Sequence, residues 1–228
     1  MKTGSKSQSR QQQHRVFILD DHPLTRHGMA QLIGQQPDLA VCGEAGDAEQ
    51  ALTAIGSLRP DVVLADMTLP GKHGLEFIKD VQALYPQVLV LVVSMHDETL
   101  YAERALHAGA RGYLMKSEGG ETLLAAIRHV VGGKIYVSQS LSNKILDVFS
   151  GRRHRTDDSA LGALTDREFE VFEALGQGLT TRQIGTQLNM SGKTVETHRL
   201  HIREKLGFKT GAELSRYAVR WSGTKELL

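Results

Sequence analysis

Val62-Val63-Leu64-Ala65-Asp66, followed at once by Met67-Thr68-Leu69-Pro70-Gly71, is the stretch on which the reading of this chain turns. An apolar run ends on a single carboxylate, and a Pro-Gly turn closes it. Short apolar runs bounded by turn signals predict a buried strand. Open α/β sheets gather ligand chemistry at the carboxyl ends of such strands. Asp66 therefore has two readings: a residue that starts a turn, as Asp often does, or the working residue of the first half of the chain. Its surroundings decide between them.

Four further strands are expected around it, each followed by a helix. Val16 to Leu19 leads to a helix starting near Pro23 with Met29, Leu32 and Ile33. Ala40 to Glu44 leads to one from Asp47 with Ala51, Leu52, Ile55 and Leu58. Val62 to Ala65 leads to one from about Gly74 with Phe77, Ile78, Val81 and Leu84. Val88 to Val93 leads to one from about Asp97 with Leu100, Ala105 and Leu106. Gly112 to Met115 leads to one with Leu123, Leu124, Ile127, Val130 and Val131. Regular β–α alternation predicts a parallel sheet covered on both faces, and right-handed crossovers make it doubly wound.

The residues that follow the strands are informative. Strand one ends in Asp20 and Asp21, strand three in Asp66, strand four in Ser94 and strand five in Lys116. In the flavodoxin-like order 2-1-3-4-5, these four strands are neighbours. Three carboxylates at one sheet edge repel unless a cation is present. Mg²⁺, a hard ion with oxygen ligands, is the natural one. With the Lys116 ammonium it would neutralise an incoming phosphoryl group. Asp66 could attack phosphorus to form an acyl phosphate, and the Ser94 hydroxyl could hold a phosphoryl oxygen. His22, beside the acidic pair, reads as a loop histidine rather than a metal ligand. No role is assigned to His96 or His107.

Bulk properties fit this. At 228 residues, one large or two small domains are expected. The apolar fraction is 40% and the charged fraction 23%, ordinary for a soluble globular chain. No apolar run approaches the roughly 18 residues of a membrane span. Cys42 is the one cysteine, which rules out an intrachain disulfide and a cysteine-based metal site. Residues 1–13 read as a disordered tail without a secretory signal, and a cytoplasmic location is expected. The net charge of +1 does not bear on nucleic-acid binding. Its distribution is mildly suggestive: residues 191–209 hold Lys193, Arg199, Arg203, Lys205 and Lys209 against Glu196 and Glu204.

Residues 14–131 resemble the receiver domain of bacterial response regulators. The resemblance is carried by Asp20-Asp21, Asp66 with Leu69-Pro70-Gly71, Ser94, and Gly109-Ala110-Arg111-Gly112-Tyr113-Leu114-Met115-Lys116. It implies that Asp66 accepts phosphate from a sensor histidine kinase. It also implies that Asp20, Asp21, Asp66 and the Thr68 carbonyl surround Mg²⁺, that Lys116 contacts the phosphoryl group, and that Ser94 and Tyr113 form a switch pair. Two positions depart from the pattern. Ser94 stands where Thr is common, and Ser117 where Pro is common. A cis bond without proline costs about 3 kcal/mol, so none is inferred at Ser117.

Beyond Gly132-Gly133, residues 132–160 read as a linker. It has a short extended piece, Lys134 to Val137, a possible helix from Ser138 to Phe149, and a polar, Arg-rich exposed run from Gly151 to Ser159. Residues 161–228 then carry three capping boxes, Thr165 with Glu168, Thr180 with Gln183 and Thr210 with Glu213, and an N-cap at Ser191. These predict helices over about 166–177, 181–188, 192–206 and 211–221, an all-α domain. A short helix, a tight turn and a longer basic helix make a helix-turn-helix pattern. In the third helix Val195, Ile202 and Leu206 are expected in the core. Lys193, Thr197, Leu200 and Glu204 face away, and Leu200 could meet a thymine methyl. Lys193, Thr194, His198, Arg199 and Arg203 are candidates for phosphate contacts. Glu196 either accepts from a cytosine amino group or balances charge locally.

This half resembles the LuxR-type helix-turn-helix. The matching residues include Leu164-Thr165-Asp166-Arg167-Glu168, Gly178, Ile184, Thr194-Val195, His198-Arg199, Ile202, Lys205-Leu206-Gly207 and Glu213-Leu214. Departures are Gly185, where a small helix former is usual, Gly192, and His201 in place of Asn. With the receiver, the chain is identified as similar to NarL/FixJ-family response regulators. That resemblance implies phosphorylation-controlled, sequence-specific binding of double-stranded DNA at a two-fold operator. It also implies a homodimer with its contact near Leu214, Tyr217 and Ala218, RNA polymerase as the transcriptional partner, and no enzymatic turnover. Three rivals stand less well. A phosphohydrolase wants a second acid where Thr68 stands. A phosphate-independent regulator does not need the full Asp20, Asp21, Asp66 and Lys116 set. An RNA binder wants stacking aromatics on the exposed helix.

Overall fold

The computed structural model describes residues 13–69, 73–96, 98–143 and 161–223. They form two compact units whose main division falls after Ser138.

The first unit alternates strand and helix as the sequence predicts. β1 (His14–Leu19), α1 (Pro23–Gly34), β2 (Leu39–Ala45), α2 (Ala48–Leu58), β3 (Val62–Ala65), α3 (Gly74–Leu84), β4 (Leu89–Ser94), α4 (Glu98–Ala108), β5 (Gly112–Met115) and α5 (Gly120–Val131) follow in order. The sheet is parallel in the order β2-β1-β3-β4-β5. Alternate residues on the strands point to opposite faces. Val16, Ile18, Val62, Leu64, Leu91, Val93 and Leu114 join Met29 and Ile33 of α1 and Leu123, Ile127 and Val130 of α5 in one core cluster. Their strand neighbours Phe17, Leu19, Val63, Ala65, Val90 and Val92 are buried as well. Every strand side chain from Val16 to Leu19 and from Val62 to Ala65 is therefore inside, which explains why these strands read as unbroken apolar runs.

Two local features shape the sheet. The β1–β2 register slips between Val16 and Phe17, so that Phe17 faces Gly43. A Cβ at Gly43 would lie 2.9 Å from the Phe17 ring, so the ring lies against bare backbone. At the far edge, Tyr136 continues the sheet beside β5. The Tyr113 N–H donates to the Tyr136 carbonyl at 2.9 Å, and the Tyr136 N–H donates to the Arg111 carbonyl at 3.0 Å. The extended piece of the expected linker is thus bound to the receiver fold. Of the helix expected over Ser138 to Phe149, residues 139–143 are helical, and the remainder lies outside the described residues. So do residues 1–12 and the Arg-rich run.

The second unit has four helices: α6 (Asp166–Gly176), α7 (Thr181–Gln187), α8 (Gly192–Lys205) and α9 (Gly211–Gly223). All three expected capping boxes form. Ser191 caps α8 by accepting from the Thr194 N–H at 3.1 Å. Each cap contributes about 1 kcal/mol. Phe169, Phe172, Leu175, Ile184, Val195, Ile202, Leu214 and Ala218 make the core. Leu206, expected with them, is only half-buried. The turn between α7 and α8 closes on Gly185. The Met190 N–H donates to the Gly185 carbonyl at 2.8 Å, and the Met190 carbonyl lies 2.8 Å from where a Cβ on Gly185 would sit. Glycine is thus what lets the turn pack down, and Asn189, at φ 52, takes the left-handed residue that Asn tolerates.

Candidate functional site

Three strand ends are built alike. Each carries a side-chain oxygen that accepts the backbone N–H two residues on: Asp20 Oδ1 from His22 at 2.8 Å, Asp66 Oδ1 from Thr68 at 3.3 Å, and Ser94 Oγ from His96 at 3.1 Å. Asp66 thus makes the turn with one oxygen and turns the other toward the site. Oδ1 holds the loop, while Oδ2 meets Lys116 Nζ at 2.6 Å. The ladder itself places these groups: the Asp66 N–H donates to the Leu19 carbonyl at 2.9 Å, and the Asp20 N–H to Ala45 at 3.2 Å.

Lys116 opens the 3₁₀ turn Lys116–Glu118 directly after β5. Its ammonium also lies 2.8 Å from Asp20 Oδ2. Asp20, Asp66 and Ser94 are all buried. Burial works against the Lys116 charge, but the bonds to Asp20 and Asp66 and their negative charge outweigh it and raise its pKa above the ordinary lysine value. The ammonium is thus held charged between two carboxylates at a water-poor site. No cis peptide bond occurs among the described residues.

The sequence-predicted residues converge. Asp20, Asp21 and Asp66 come together, with His22 beside them: one ligand atom from each of the four lies within 4.8 Å of the others. Asp21 Oδ1 is buried and accepts no hydrogen bond. A cluster of three carboxylates facing one point suits a hard divalent cation. Thr68 is exposed at the rim. Tyr113 is fully buried, and its hydroxyl donates to the His96 carbonyl at 2.9 Å.

His96, given no role from the sequence, belongs to this site. Its Nε2 lies 2.8 Å from the Thr68 hydroxyl, its carbonyl holds Tyr113, its N–H holds Ser94, and its ring packs 4.8 Å from that of Tyr101. The signal was present as spacing, since His96 follows Ser94 by the same two residues that separate Asp20 from His22 and Asp66 from Thr68.

On α8, Lys193, Thr194, Glu196, Thr197 and Leu200 are exposed, with Leu200 at 42%, and His198, Arg199 and Arg203 are partly so. Glu196 is engaged locally. The Thr181 hydroxyl donates to its Oε1 at 2.7 Å, and Arg199 Nη1 lies 2.8 Å from the same hydroxyl and 3.0 Å from that carboxylate. Glu168 ties α8 to α6: its Oε2 accepts from the Thr165 N–H at 2.7 Å and from Lys205 Nζ at 2.6 Å.

Leu214 and Ala218 are fully buried inside the unit, and Tyr217 packs on Phe172 and Phe208. Leu214 and Ala218 thus belong to the core of this domain, Tyr217 is half-buried, and Val219, 50% exposed, is a large apolar residue that α9 presents to solvent.

Comparison with known proteins agrees with both halves. Residues 16–128 match the response regulator receiver domain, and residues 162–218 match the bacterial regulatory proteins of the luxR family. The oxygen regulatory protein NreC of Staphylococcus haemolyticus is 32% identical over 210 residues, covering 90% of this chain and 97% of that one. A LuxR-family two-component response regulator from Aurantimonas is similar in structure over 60% of this chain and 99% of that one, with TM-score 0.57 and 33% identity. The RcsB response regulator of Salmonella typhimurium shares the fold over 92% of this chain and 98% of that one, with TM-score 0.71 and 23% identity. Among the described residues, no helix is long and apolar enough to cross a membrane. With a receiver domain at one end and a LuxR-type helix-turn-helix at the other, the chain belongs to the NarL-type two-component response regulators, transcription factors rather than enzymes.

Proposed function

We propose that Asp66 is the phosphoacceptor of this regulator, and that its phosphorylation by a sensor histidine kinase controls DNA binding. The observation that carries this is the buried Asp66 carboxylate, with Lys116 Nζ 2.6 Å from one oxygen and the other oxygen fixed by the Thr68 N–H. A carboxylate so held is a positioned nucleophile. One oxygen attacks phosphorus, the P–N bond to the kinase imidazole breaks, and an acyl phosphate forms. Lys116 then stands where the transferred group's charge gathers. Ser94, buried one strand away, offers its hydroxyl to a phosphoryl oxygen, and its bond to the His96 N–H links that event to the Tyr113 side of the site. Asp20, Asp21, Asp66 and the Thr68 carbonyl would hold Mg²⁺. The bound ion supplies positive charge for the carboxylates and the phosphoryl oxygens.

The output lies on α8. Lys193, Thr197 and Leu200 are the residues free to meet base edges, with Leu200 suited to a thymine methyl. Thr194, His198, Arg199 and Arg203 suit phosphates. The Thr181–Glu196–Arg199 network favours the local role for Glu196 over cytosine reading. The protein binds a two-fold operator as a homodimer, works with RNA polymerase and resides in the cytoplasm. The domain limits follow from this reading: a tail to residue 13, a receiver over 14–131, a linker over 132–160 and the DNA-binding domain over 161–228. A mobility-shift assay with and without acetyl phosphate tests it. The phosphodonor should tighten binding by the wild type and leave Asp66→Ala unchanged. Equal affinity for both proteins under both conditions would refute the phosphorylation control.

A further inference from the structure

We propose that His22 is a ligand of the divalent ion at the acidic site. The site is then a mixed nitrogen–oxygen centre that takes Mn²⁺ and later first-row ions in preference to Mg²⁺. This rests on the metal-site reading above and deepens it.

Three observations carry it. His22 Nδ1 lies 2.7 Å from Asp21 Oδ1 and 3.4 Å from Asp20 Oδ1. Adjacent ligands of an octahedral ion with bonds of about 2.1 Å are about 3 Å apart, so these separations are those of atoms sharing one ion. Second, Asp20, Asp21, His22 and Asp66 each offer a ligand atom within 4.8 Å of the others, and the Asp21 oxygen that the ring approaches is itself buried. A cation placed among these atoms is met by the ring nitrogen as well as by the carboxylates. Third, the imidazole is not used to cap its own helix. His22 is the N-cap residue of α1, with extended backbone at φ −87 and ψ 106, and its side chain makes no capping bond. Its backbone N–H, by contrast, is bound to Asp20 Oδ1, which fixes the ring's attachment point at the site.

The chemistry follows from ligand type. Oxygen-only sites suit Mg²⁺, whereas an imidazole nitrogen favours Mn²⁺ and the ions after it in the first row. The His22 side chain is 64% exposed, so it can close on an ion from the solvent side while the buried carboxylates hold it from within.

The test uses the full chain and Mn²⁺ as the probe. Binding is counted from the loss of the free Mn²⁺ paramagnetic resonance signal, and nitrogen coordination is read from ¹⁴N modulation of the bound ion's electron spin echo. The wild type is expected to bind one Mn²⁺ with ¹⁴N modulation. His22→Ala should keep the stoichiometry, lose the modulation and bind Mn²⁺ about tenfold more weakly. Its Mg²⁺ affinity, measured by competition, should change less than its Mn²⁺ affinity. Stoichiometric binding without ¹⁴N modulation in the wild type, or unchanged modulation in His22→Ala, overturns the role of His22 alone. Stoichiometric binding that survives in Asp21→Asn/Asp66→Asn, or none in the wild type, overturns the metal site itself.

Discussion

Replacing Glu168 separates two contributions that one carboxylate makes to the DNA-binding domain. It is 3% exposed. Its Oε2 closes the α6 capping box on the Thr165 N–H and also accepts from Lys205 at the end of the recognition helix. The cap is worth about 1 kcal/mol. A charge-assisted bond is worth about 1.5–3 kcal/mol. Because Lys205 is 36% exposed, solvent screening reduces that to about 1–2 kcal/mol. Glu168→Ala should therefore cost about 2–3 kcal/mol, and Glu168→Gln, which can keep the box, about 1–2 kcal/mol. The assay is built in. Trp221 is the one tryptophan of the chain, and it packs against Phe169 and Phe172 with ring centroids 6.0 and 5.1 Å away. Its fluorescence therefore reports urea unfolding of this domain alone. With a slope of about 1 kcal/mol/M for so small a domain, the midpoint should fall by about 2–3 M for Ala and 1–2 M for Gln. The pH dependence has a definite sign. Burial raises the Glu168 pKa, but the bonds from Lys205 and Thr165 outweigh it, so the folded value lies below the ordinary 4.5. The charge contribution is complete above the ordinary value and disappears as pH falls through the folded one. The gap between wild type and Gln should close in acid. A Gln variant as unstable as Ala, or a gap unchanged into acid, would refute the assignment to the Lys205 pair.

Other expectations follow from the same geometry. Lys116→Met leaves Asp20 and Asp66 buried without their counterion, so the receiver should lose about 3 kcal/mol, partly restored by millimolar Mg²⁺; far-UV circular dichroism in urea with and without the ion checks this. Arg128 grips Asp38 with bonds of 2.7 and 2.8 Å, and chiefly through that hydrogen bonding the Asp38 pKa is lowered. Arg128→Ala should cost about 0.5–1 kcal/mol at neutral pH, fully above pH 3.8 and progressively less below it, and added salt should shrink the difference. On α8, Lys193→Ala should weaken all DNA sequences alike and lower the salt slope by about one. Leu200→Ala should instead lose about 1 kcal/mol of preference at a single base pair; competition binding against single-substitution operators distinguishes the two.

How legible this was depended on the kind of signal. The strands were readable because doubly covered parallel strands are apolar throughout, and the helix starts because Thr165, Thr180 and Ser191 cap with characteristic spacing. Asp20, Asp66 and Lys116 were readable because each ends a strand whose place follows from topology. Relations across the fold were harder. His96 gains its position from contacts to Thr68, Ser94 and Tyr113, and only the first of these is a side-chain-to-side-chain bond that residue type could have suggested. Leu214 and Ala218 look the same in sequence whether they face a partner or a core, and burial puts them in the core. Gly185, which stands where a small helix former is usual, is where the Met190 carbonyl makes its close approach.

The shared wiring of Asp20–His22, Asp66–Thr68 and Ser94–His96 has a spectroscopic consequence. Three backbone amide protons rest on oxygens that belong to the site, one on each of three neighbouring strand ends. Each is a resonance whose shift and solvent-exchange rate track the charge and orientation of its acceptor. Together they make a three-point antenna, native to the chain, that separates an event at the acidic pair from one at Asp66 or Ser94.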